Sequence, residues 1–329
     1  MPLQRRHELR LAGAAAIAAP TWRIADAEDY PTRPVRIIEG LGGGSTPNLI
    51  SRLIGQWLSE HLGQPFVVES RTGAGGNIAT QAVVSAAPDG YTLLTIVTTN
   101  AINVTLYEKL DFDFLHDIVP VAGVFRLPMV LMVNPSLPVA TLPELIAYAK
   151  ANPSKLVYGS AGTGSMTHLG GELFKSLAGT PDIVHIPYKG TGASLTDVMG
   201  GQVPMIVANV TGQILTLHRS GNLRMVVVTS AERLAAASDI PTAVESGLPK
   251  MIAVNFTGLF APAKTPKAIV ERIAVASRAV MADETIRANL AEQGLEAYRD
   301  STPEATRRFV EEDIARWTPV VRAIGLKFN

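Results

Sequence analysis

The sequence predicts an α/β protein with two lobes, each a mainly parallel sheet flanked by helices. Short apolar runs alternate with segments in which apolar residues recur every three or four positions, the periods of buried strands and amphipathic helices. This alternation occurs in two blocks, separated by two extended segments, "VPVAGVF" and "PMVLMVNP". In each block an apolar run leads into a glycine-rich loop and then a helix, the order that produces parallel sheets.

The first block opens with the strand "VRII" at residues 35–38. A glycine-rich loop follows it, and then an amphipathic helix that Thr46 or Asn48 is predicted to cap and Gly63 to end. The strand "FVVES", the glycine-rich turn "RTGAGGN", the helix "IATQAVVSAA" and the buried strand "TLLTIV" complete the block.

The second block repeats this order after the extended segments. Its strands are predicted at "LVYGS", "DIVHIP", "VPMIVA" and "LRMVVVTS", with helices between them. The strand "FTGLFAP" then returns, and the rest of the chain has a helical pattern. We therefore expect residues 28–125 and 255–329 to form the first lobe and residues 126–254 to form the second.

The N-terminus has the pattern of an export signal. Arg5 and Arg6 precede an apolar stretch at Leu11–Ala19, and Ala25-Asp26-Ala27 matches an A-x-A cleavage site. The stretch is too short to cross a bilayer, and twin arginines before a weakly hydrophobic core are typical of twin-arginine export. Residues 1–27 are therefore predicted to direct the protein to the periplasm, by the twin-arginine or the general secretory route, with cleavage near Ala27. A tail on a cytosolic protein is the alternative.

Several classes of function are disfavoured. Lys and Arg together equal Asp and Glu at 29 each, so no basic excess indicates nucleic acid as a partner. The chain has no cysteine, and its histidines are scattered without a metal-binding spacing, so we expect no metal. Neither a phosphate loop nor a dinucleotide fingerprint is complete, and no cofactor is expected. The G-x-S-x-G motif is absent, and Ser165 with His168 lacks a third group, so no catalytic residue is predicted.

Two loops are the strongest candidates for a binding site. Ligands of open α/β sheets bind at the carboxyl ends of strands, where helix N-termini offer free N–H groups and a positive dipole. Such loops suit a carboxylate, because charge-assisted hydrogen bonds are the stronger kind. The predicted ligand-binding residues are Gly43, Gly44, Ser45 and Thr46 in the first lobe and Ser160, Thr163, Gly164 and Ser165 in the second.

Four further residues are added to the candidate site. Thr99 and Asn100 follow a buried strand at the predicted binding edge, although a simple helix cap is the alternative. His168 lies one turn after the second loop, and local hydrogen bonding is an equally good account of it. Tyr188 is placed to reach the cleft between the lobes.

The chain resembles the Bug family, the periplasmic solute receptors of tripartite tricarboxylate transporters, from about Tyr30 to the C-terminus. The blocks that carry the resemblance are "YPTRPVRII", "GQPFVVESRTGAGGNIAT", "PDGYTLL", "NPSKLVYGSAGTGSMTHLGGELF", "HIPYKGTGASLTDVMGGQV" and "SGLP". The resemblance implies a clamshell of the type II periplasmic binding proteins. It also implies a carboxylate held by the two glycine-rich loops and ordered water, with His168 nearby.

The implied function is to capture a small organic carboxylate and deliver it to the membrane subunits of a permease, as a monomer and without chemistry. The same module used as a sensor for a membrane signalling partner is an alternative, and an α/β enzyme is a weaker one.

Three residues depart from the family pattern. Asn48 and Ala208 stand where acidic residues are expected, and Glu39 replaces an apolar approach to the first loop. The first two changes are expected to remove negative charge near the cleft and so to disfavour an amino-acid zwitterion. Glu39 is expected either to point away from the ligand or to reshape the loop.

Overall fold

The computed structural model describes residues 29–42, 45–153, 155–298 and 300–328, so the predicted export signal at residues 1–27 lies outside the described residues. The strands are β1 (Val35–Glu39), β2 (Phe66–Ser70), β3 (Thr92–Val97), β4 (Ile118–Val133), β5 (Val157–Ser160), β6 (Val184–Pro187), β7 (Met205–Asn209), β8 (Arg224–Val228), β9 (Val254–Pro262) and β10 (Glu296–Ala297). The α-helices are α1 (Thr46–Leu62), α2 (Asn77–Val84), α3 (Thr98–Leu106), α4 (Leu142–Ala151), α5 (Met166–Ala178), α6 (Thr191–Met199), α7 (Gly212–Arg219), α8 (Lys267–Ala282), α9 (Glu284–Glu292) and α10 (Pro303–Ala323).

The same β-α-β-α-β unit occurs twice, which confirms the two predicted blocks. In the first unit β1 pairs in parallel with both β2 and β3, and in the second β5 pairs in parallel with both β6 and β7. The first strand of each unit is therefore central. Because the strands of a unit are parallel, their carboxyl ends, and the loops that follow, meet at one edge of each sheet.

One long strand joins the two units. The sequence predicts two extended segments around residues 119–134, whereas the structure has the single 16-residue strand β4. Its residues up to Pro128 pair antiparallel with β9, and Met129–Val133 pair with β7 and β8. Pro128 lies where the partner of β4 changes from β9 to β7. Neither set of strand hydrogen bonds therefore needs the N–H that proline lacks. Across the joint the strand order is β2-β1-β3-β9-β4-β7-β5-β6.

The C-terminal helix α10 packs against elements of both units, with contacts to α3, β4 and α5. Its Trp317 is fully buried in a cluster with Leu131 of β4 and Phe174 of α5 in the second unit. The Trp317 Nε1–H donates to the buried carboxyl of Asp313 at 3.0 Å, and Asp313 also interacts with the side chain of Thr98 at the start of α3. Helix α10 thus connects the second unit to one of the loops at the first binding edge.

Helix boundaries follow the predicted capping chemistry with one correction. Ser45, rather than Thr46 or Asn48, is the N-cap of α1, and its side chain accepts a hydrogen bond from the Asn48 N–H. Gly63 ends the helix with a left-handed φ of 77°, as predicted. Across the described part of the chain, no helix has both the length and the apolarity to cross a membrane.

Candidate functional site

At the first edge, three segments follow the parallel strands β1, β2 and β3. The β1 loop begins at Gly40, whose position would bring an added Cβ within 2.6 Å of the Gly76 Cα in the β2 loop. The β2 loop is a tight turn in which Gly73, Ala74, Gly75 and Gly76 all have positive φ. The two loops therefore touch backbone to backbone, which requires glycine at the contact.

The third segment at this edge is α3, which holds the β2 loop in place. Asn100 is buried, accepts a hydrogen bond from the Val97 N–H and donates to Thr80 at 3.3 Å. Asn103 donates to the Gly75 carbonyl oxygen at 3.1 Å and to Asn77 at 2.7 Å. Of the predicted site residues, Asn100 thus ties α3 to α2, and Thr99 is half-buried on the first turn of α3.

Glu39 occupies the first loop. Its side chain is 1% exposed, and it accepts hydrogen bonds from the Leu41 N–H at 2.8 Å and the Gly42 N–H at 3.1 Å. The Asn48 side-chain amide donates to it at 2.9 Å, and the Ser70 hydroxyl makes a further short hydrogen bond. Glu39 therefore reshapes the loop, the second of the two outcomes expected from the sequence.

The carboxylate of Glu39 therefore brings a negative charge to this edge, where the sequence led us to expect one to be missing. Asn48 does leave out one carboxylate, but its amide binds the carboxylate of Glu39 directly. Ala208, in turn, is fully buried in an apolar cluster with Val130 and Ile206. Glu39 thus brings a carboxylate to the place where Asn48 leaves one out, and position 208 lies in the core, so the low affinity expected for an amino-acid zwitterion stays a prediction.

Gly43 and Gly44 lie outside the described residues. Ser45 and Thr46 are half-buried, and the Ser45 hydroxyl donates to the Gly42 carbonyl oxygen at 2.9 Å. Thr46 is the first residue of α1, where backbone N–H groups have no acceptor within the helix. The first loop therefore keeps fewer free N–H groups than its sequence predicts.

At the second edge, the loop after β5 is held by its own side chains. The Ala161 N–H donates to the Thr167 hydroxyl at 2.9 Å, and the Ser165 hydroxyl donates to the Gly162 carbonyl oxygen at 2.7 Å. Ser165 is also the N-cap of α5. Thr163 is exposed at the tip of the loop, and no described residue accepts a hydrogen bond from its N–H.

The N–H groups available at this edge are those of Thr163 and of the first turn of α5. Met166 and Thr167 are the first two residues of α5, so neither N–H has an acceptor within the helix. The sequence did not single out these two residues, because the helix start could not be fixed to one position before its cap was seen. This edge has the donor arrangement of an anion-binding helix N-terminus.

His168 faces the interior beneath the loop. Its Nδ1 accepts a hydrogen bond from the Gly164 N–H at 3.1 Å, so the neutral ring carries its proton on Nε2, which lies 4.0 Å from Glu172. Its ring stacks on His185 with centroids 4.0 Å apart, and His185 Nε2 lies 2.7 Å from the Ser160 hydroxyl oxygen. His168 and Ser160 thus shape the loop from below, and His185 holds Ser160.

Both rings are held neutral by their surroundings. Burial lowers the pKa of His168 below its usual value, and Lys175 acts in the same direction while Glu172 opposes them. Burial also lowers the pKa of His185 to about 4, helped by His168 and Lys175. Protonation of His168 at Nδ1 would turn that atom into a donor and break its contact with Gly164.

We expect His168 and His185 to contribute a loss of stability as the pH falls from about 6.5 towards 4. In this window the unfolded chain, in which histidine has its usual pKa of 6.5, binds more protons than the folded chain, so the free energy of unfolding decreases. Since His185 is half-buried, solvent screening limits its contribution to this decrease in unfolding free energy to about 1 kcal/mol.

The comparison that isolates this effect is between the wild type and His185→Gln, in urea melts at pH 7 and 4.5. Asp313 changes the free energy of unfolding in the opposite direction. Burial raises its pKa to about 6, so the folded chain binds the proton more readily and gains stability as the pH falls. We therefore expect the wild type to lose about 1 kcal/mol more than the variant. Parallel stability profiles would contradict the role given to His185.

Tyr188 turns towards helix α6. Its hydroxyl donates to Asp197 at 2.7 Å, and burial together with this contact raises the pKa of Tyr188 to about 12. Its N–H donates to the Ser160 carbonyl oxygen at 3.3 Å, which ties the β6 loop to the second glycine-rich loop. Lys189, the next residue, is exposed at the same edge.

A separate cavity of about 570 Å³ lies between α5 and α10. Its walls include Leu173, Leu177 and Pro319, with Lys175 and Arg316 at the polar side. Lys175 is paired with Glu172 at 3.0 Å and Arg316 with Asp313 at 2.8 Å. None of the predicted site residues lines this cavity, so it is distinct from the two loop edges. Among the described residues, no cluster of three or more histidine or acidic side chains is arranged to hold a metal ion.

Two β-α-β-α-β units joined by a long strand, each with a glycine-rich loop at the carboxyl edge of its parallel strands, have the architecture of a two-lobed binding protein. The chain belongs to the TctC family, described as "Tripartite tricarboxylate transporter family receptor", whose match covers residues 50–326. This confirms the resemblance to the Bug family and the two-lobed α/β fold. The chain is therefore a solute-binding receptor of a periplasmic family and not an enzyme.

Relatives and solved structures agree with this assignment. Protein BugT from Bordetella pertussis is 36% identical over 318 residues, covering 96% of this chain and 95% of that protein. The structure "R. palustris Rpa4515 with adipate" matches with a TM-score of 0.74 and 34% identity, covering 91% of this chain and 99% of that one. MatC from Rhodopseudomonas palustris "with bound malate" matches with a TM-score of 0.71 and 31% identity, covering 89% of this chain and 100% of that one.

Proposed function

We propose that this receptor captures a small organic carboxylate between its two lobes and delivers it to the membrane subunits of a tripartite tricarboxylate-type permease. The first lobe would comprise residues 28–125 and 255–329, and the second residues 126–254. The protein would act as a monomer, exported to the periplasm by the signal at residues 1–27.

The observation that supports the carboxylate most strongly is the second edge. Thr163, Met166 and Thr167 offer N–H groups at the positive end of the 13-residue helix α5. The glycines of the loop leave the backbone open to a ligand, and Lys189 adds positive charge at the same edge. The two related structures from Rhodopseudomonas palustris are described with adipate and with bound malate, and both molecules are carboxylates.

The rest of the site would close over the ligand from the first lobe. Ser45, Thr46 and Thr99 lie at that edge and offer hydroxyl and N–H groups. Ser160, Gly164, Ser165, His168, Asn100 and Tyr188 would shape the two edges through the contacts described above.

The experiment that tests this function is a thermal shift assay of the purified protein against small carboxylates and the matching amides. A ligand present at about 100 times its Kd adds about 2.7 kcal/mol to the free energy of unfolding, which raises Tm by several degrees. We expect stabilisation by at least one carboxylate and none by its amide, and receptor-dependent uptake of that carboxylate by cells. Equal stabilisation by the amide, or none by any carboxylate, would contradict the proposal.

A further inference from the structure

The first lobe already contains an anion where the sequence leads one to expect the ligand. Glu39 is 1% exposed, and its two carboxylate oxygens accept hydrogen bonds from the N–H groups of Leu41 and Gly42, the amide of Asn48 and the hydroxyl of Ser70. A carboxylate has about four acceptor sites, and four donors meet it here. The carboxylate of Glu39 is thus hydrogen bonded as a bound ligand would be.

We propose that Glu39 is a built-in substitute for a ligand carboxylate in the first loop, and that it restricts this receptor to ligands with a single carboxylate, gripped at the second edge. The inference rests on the proposed function and narrows its ligand class. A dicarboxylate would have to bring its second charge to an edge that already holds one.

The first step of the argument concerns donors. In a glycine-rich loop before a helix, the backbone N–H groups and the helix dipole are what attract an anion. At the first edge the N–H groups of Leu41 and Gly42 are taken by Glu39, which also lies against the N-terminal turn of α1 through Asn48. In the described part of the loop, the N–H groups of Leu41 and Gly42 therefore already bind a residue of the chain itself.

The second step concerns countercharges. Arg52 donates to the Asn48 side-chain oxygen at 3.1 Å, and Arg71 pairs with Glu69 at 2.7 Å. Arg71 is therefore paired with a carboxylate, and Arg52 is held by the side chain of Asn48, whose amide binds Glu39. A second ligand carboxylate arriving here would meet the charge of Glu39, and like charges on neighbouring carboxylates repel.

The third step concerns the asymmetry between the two edges. The second edge offers the N–H groups of Thr163, Met166 and Thr167 and the exposed Lys189, and the nearby carboxyl of Asp197 is engaged by Tyr188. At the first edge a carboxylate of the chain already occupies two backbone N–H groups, whereas the second edge keeps N–H groups without an acceptor and an exposed lysine. A monocarboxylate therefore fits in one orientation, with its charge at the second lobe and its uncharged end at the first.

The test is isothermal titration of the full chain with pairs of equal length: butyrate with succinate, hexanoate with adipate, and benzoate with terephthalate. In the pair that binds best, we expect the wild type to bind the monocarboxylate at least tenfold more tightly than the dicarboxylate. Glu39→Gln is expected to reduce this ratio at least tenfold by improving dicarboxylate binding. The matched control is Glu60→Gln, which removes the same charge from the exposed C-terminal end of α1, away from the first edge, and is expected to leave the ratio unchanged.

The outcomes separate this inference from the proposed function. A wild type that binds dicarboxylates as tightly as monocarboxylates would overturn the inference and leave carboxylate capture standing. An unchanged ratio in Glu39→Gln would do the same. Binding of none of the six probes would contradict the restriction to simple monocarboxylates, and the thermal shift assay would then decide the proposed function. If Glu39→Gln does not fold, the wild-type ratio still decides the question.

Discussion

Gly171→Ala is expected to destabilise the chain by about 3 kcal/mol or more. Gly171 lies in α5 directly over the ring of Tyr158, and a Cβ at this position would overlap that ring. Tyr158 is fully buried, and its hydroxyl donates to Glu172 at 2.9 Å and to the His168 carbonyl oxygen at 3.1 Å. The added methyl group must displace the ring or the helix, and either movement breaks these hydrogen bonds.

Gly192→Ala is the matched control, because Gly192 is also helical but has no neighbour within 4 Å of an added Cβ. Alanine there should stabilise the chain by up to about 1 kcal/mol. Urea unfolding of both variants gives the comparison. If Gly171→Ala lowers the free energy of unfolding no more than Gly192→Ala does, the close packing described for α5 on β5 beneath the candidate loop is contradicted.

Gly164→Val is expected to weaken carboxylate binding at least 100-fold, equivalent to about 2.7 kcal/mol. Gly164 has a φ of 78°, a region that valine avoids, and its Cβ would come within 3.1 Å of Phe328. The loop must therefore change shape. Its N–H would leave His168 Nδ1, and the N–H groups of the second edge would no longer converge.

Gly179→Val separates this effect from a general loss of stability. Gly179 ends the same helix α5 with a φ of 63° and has nothing within 4 Å of an added Cβ. Backbone strain should cost about 1–2 kcal/mol at either position. Titration with the carboxylate found in the thermal shift assay should show near-normal affinity for Gly179→Val. Equal affinity in both variants would remove the second loop from the binding site.

The repeated β-α-β-α-β order could be predicted because it follows from periodicity alone. Buried strands and amphipathic helices have different periods, and glycine-rich loops mark where one gives way to the other. The continuity of β4 could not be predicted in this way. When only neighbouring residues are considered, Pro128 argues against one continuous strand. The strand can contain this proline because its partner strand changes at that residue.

The candidate site was predictable at the level of its edges but not of its hydrogen bonds. Which loops lie at the carboxyl ends of the strands follows from chain order. The direction of the Glu39 side chain depends instead on Asn48 and Ser70, residues from two other elements that meet it only in the folded chain. His168 likewise was placed beside the right loop, but whether it faced the cleft or the interior required its stacking on His185.

The most direct test of the account is a crystal structure of the wild type with the best-binding carboxylate. We expect the carboxylate oxygens within hydrogen-bonding distance of the N–H groups of Thr163, Met166 or Thr167, with the ligand enclosed between the lobes. The cavity between α5 and α10 is the alternative location, since it has about 570 Å³ of space and three cationic side chains in its wall. Ligand found there, with the glycine-rich loops empty, would contradict the account.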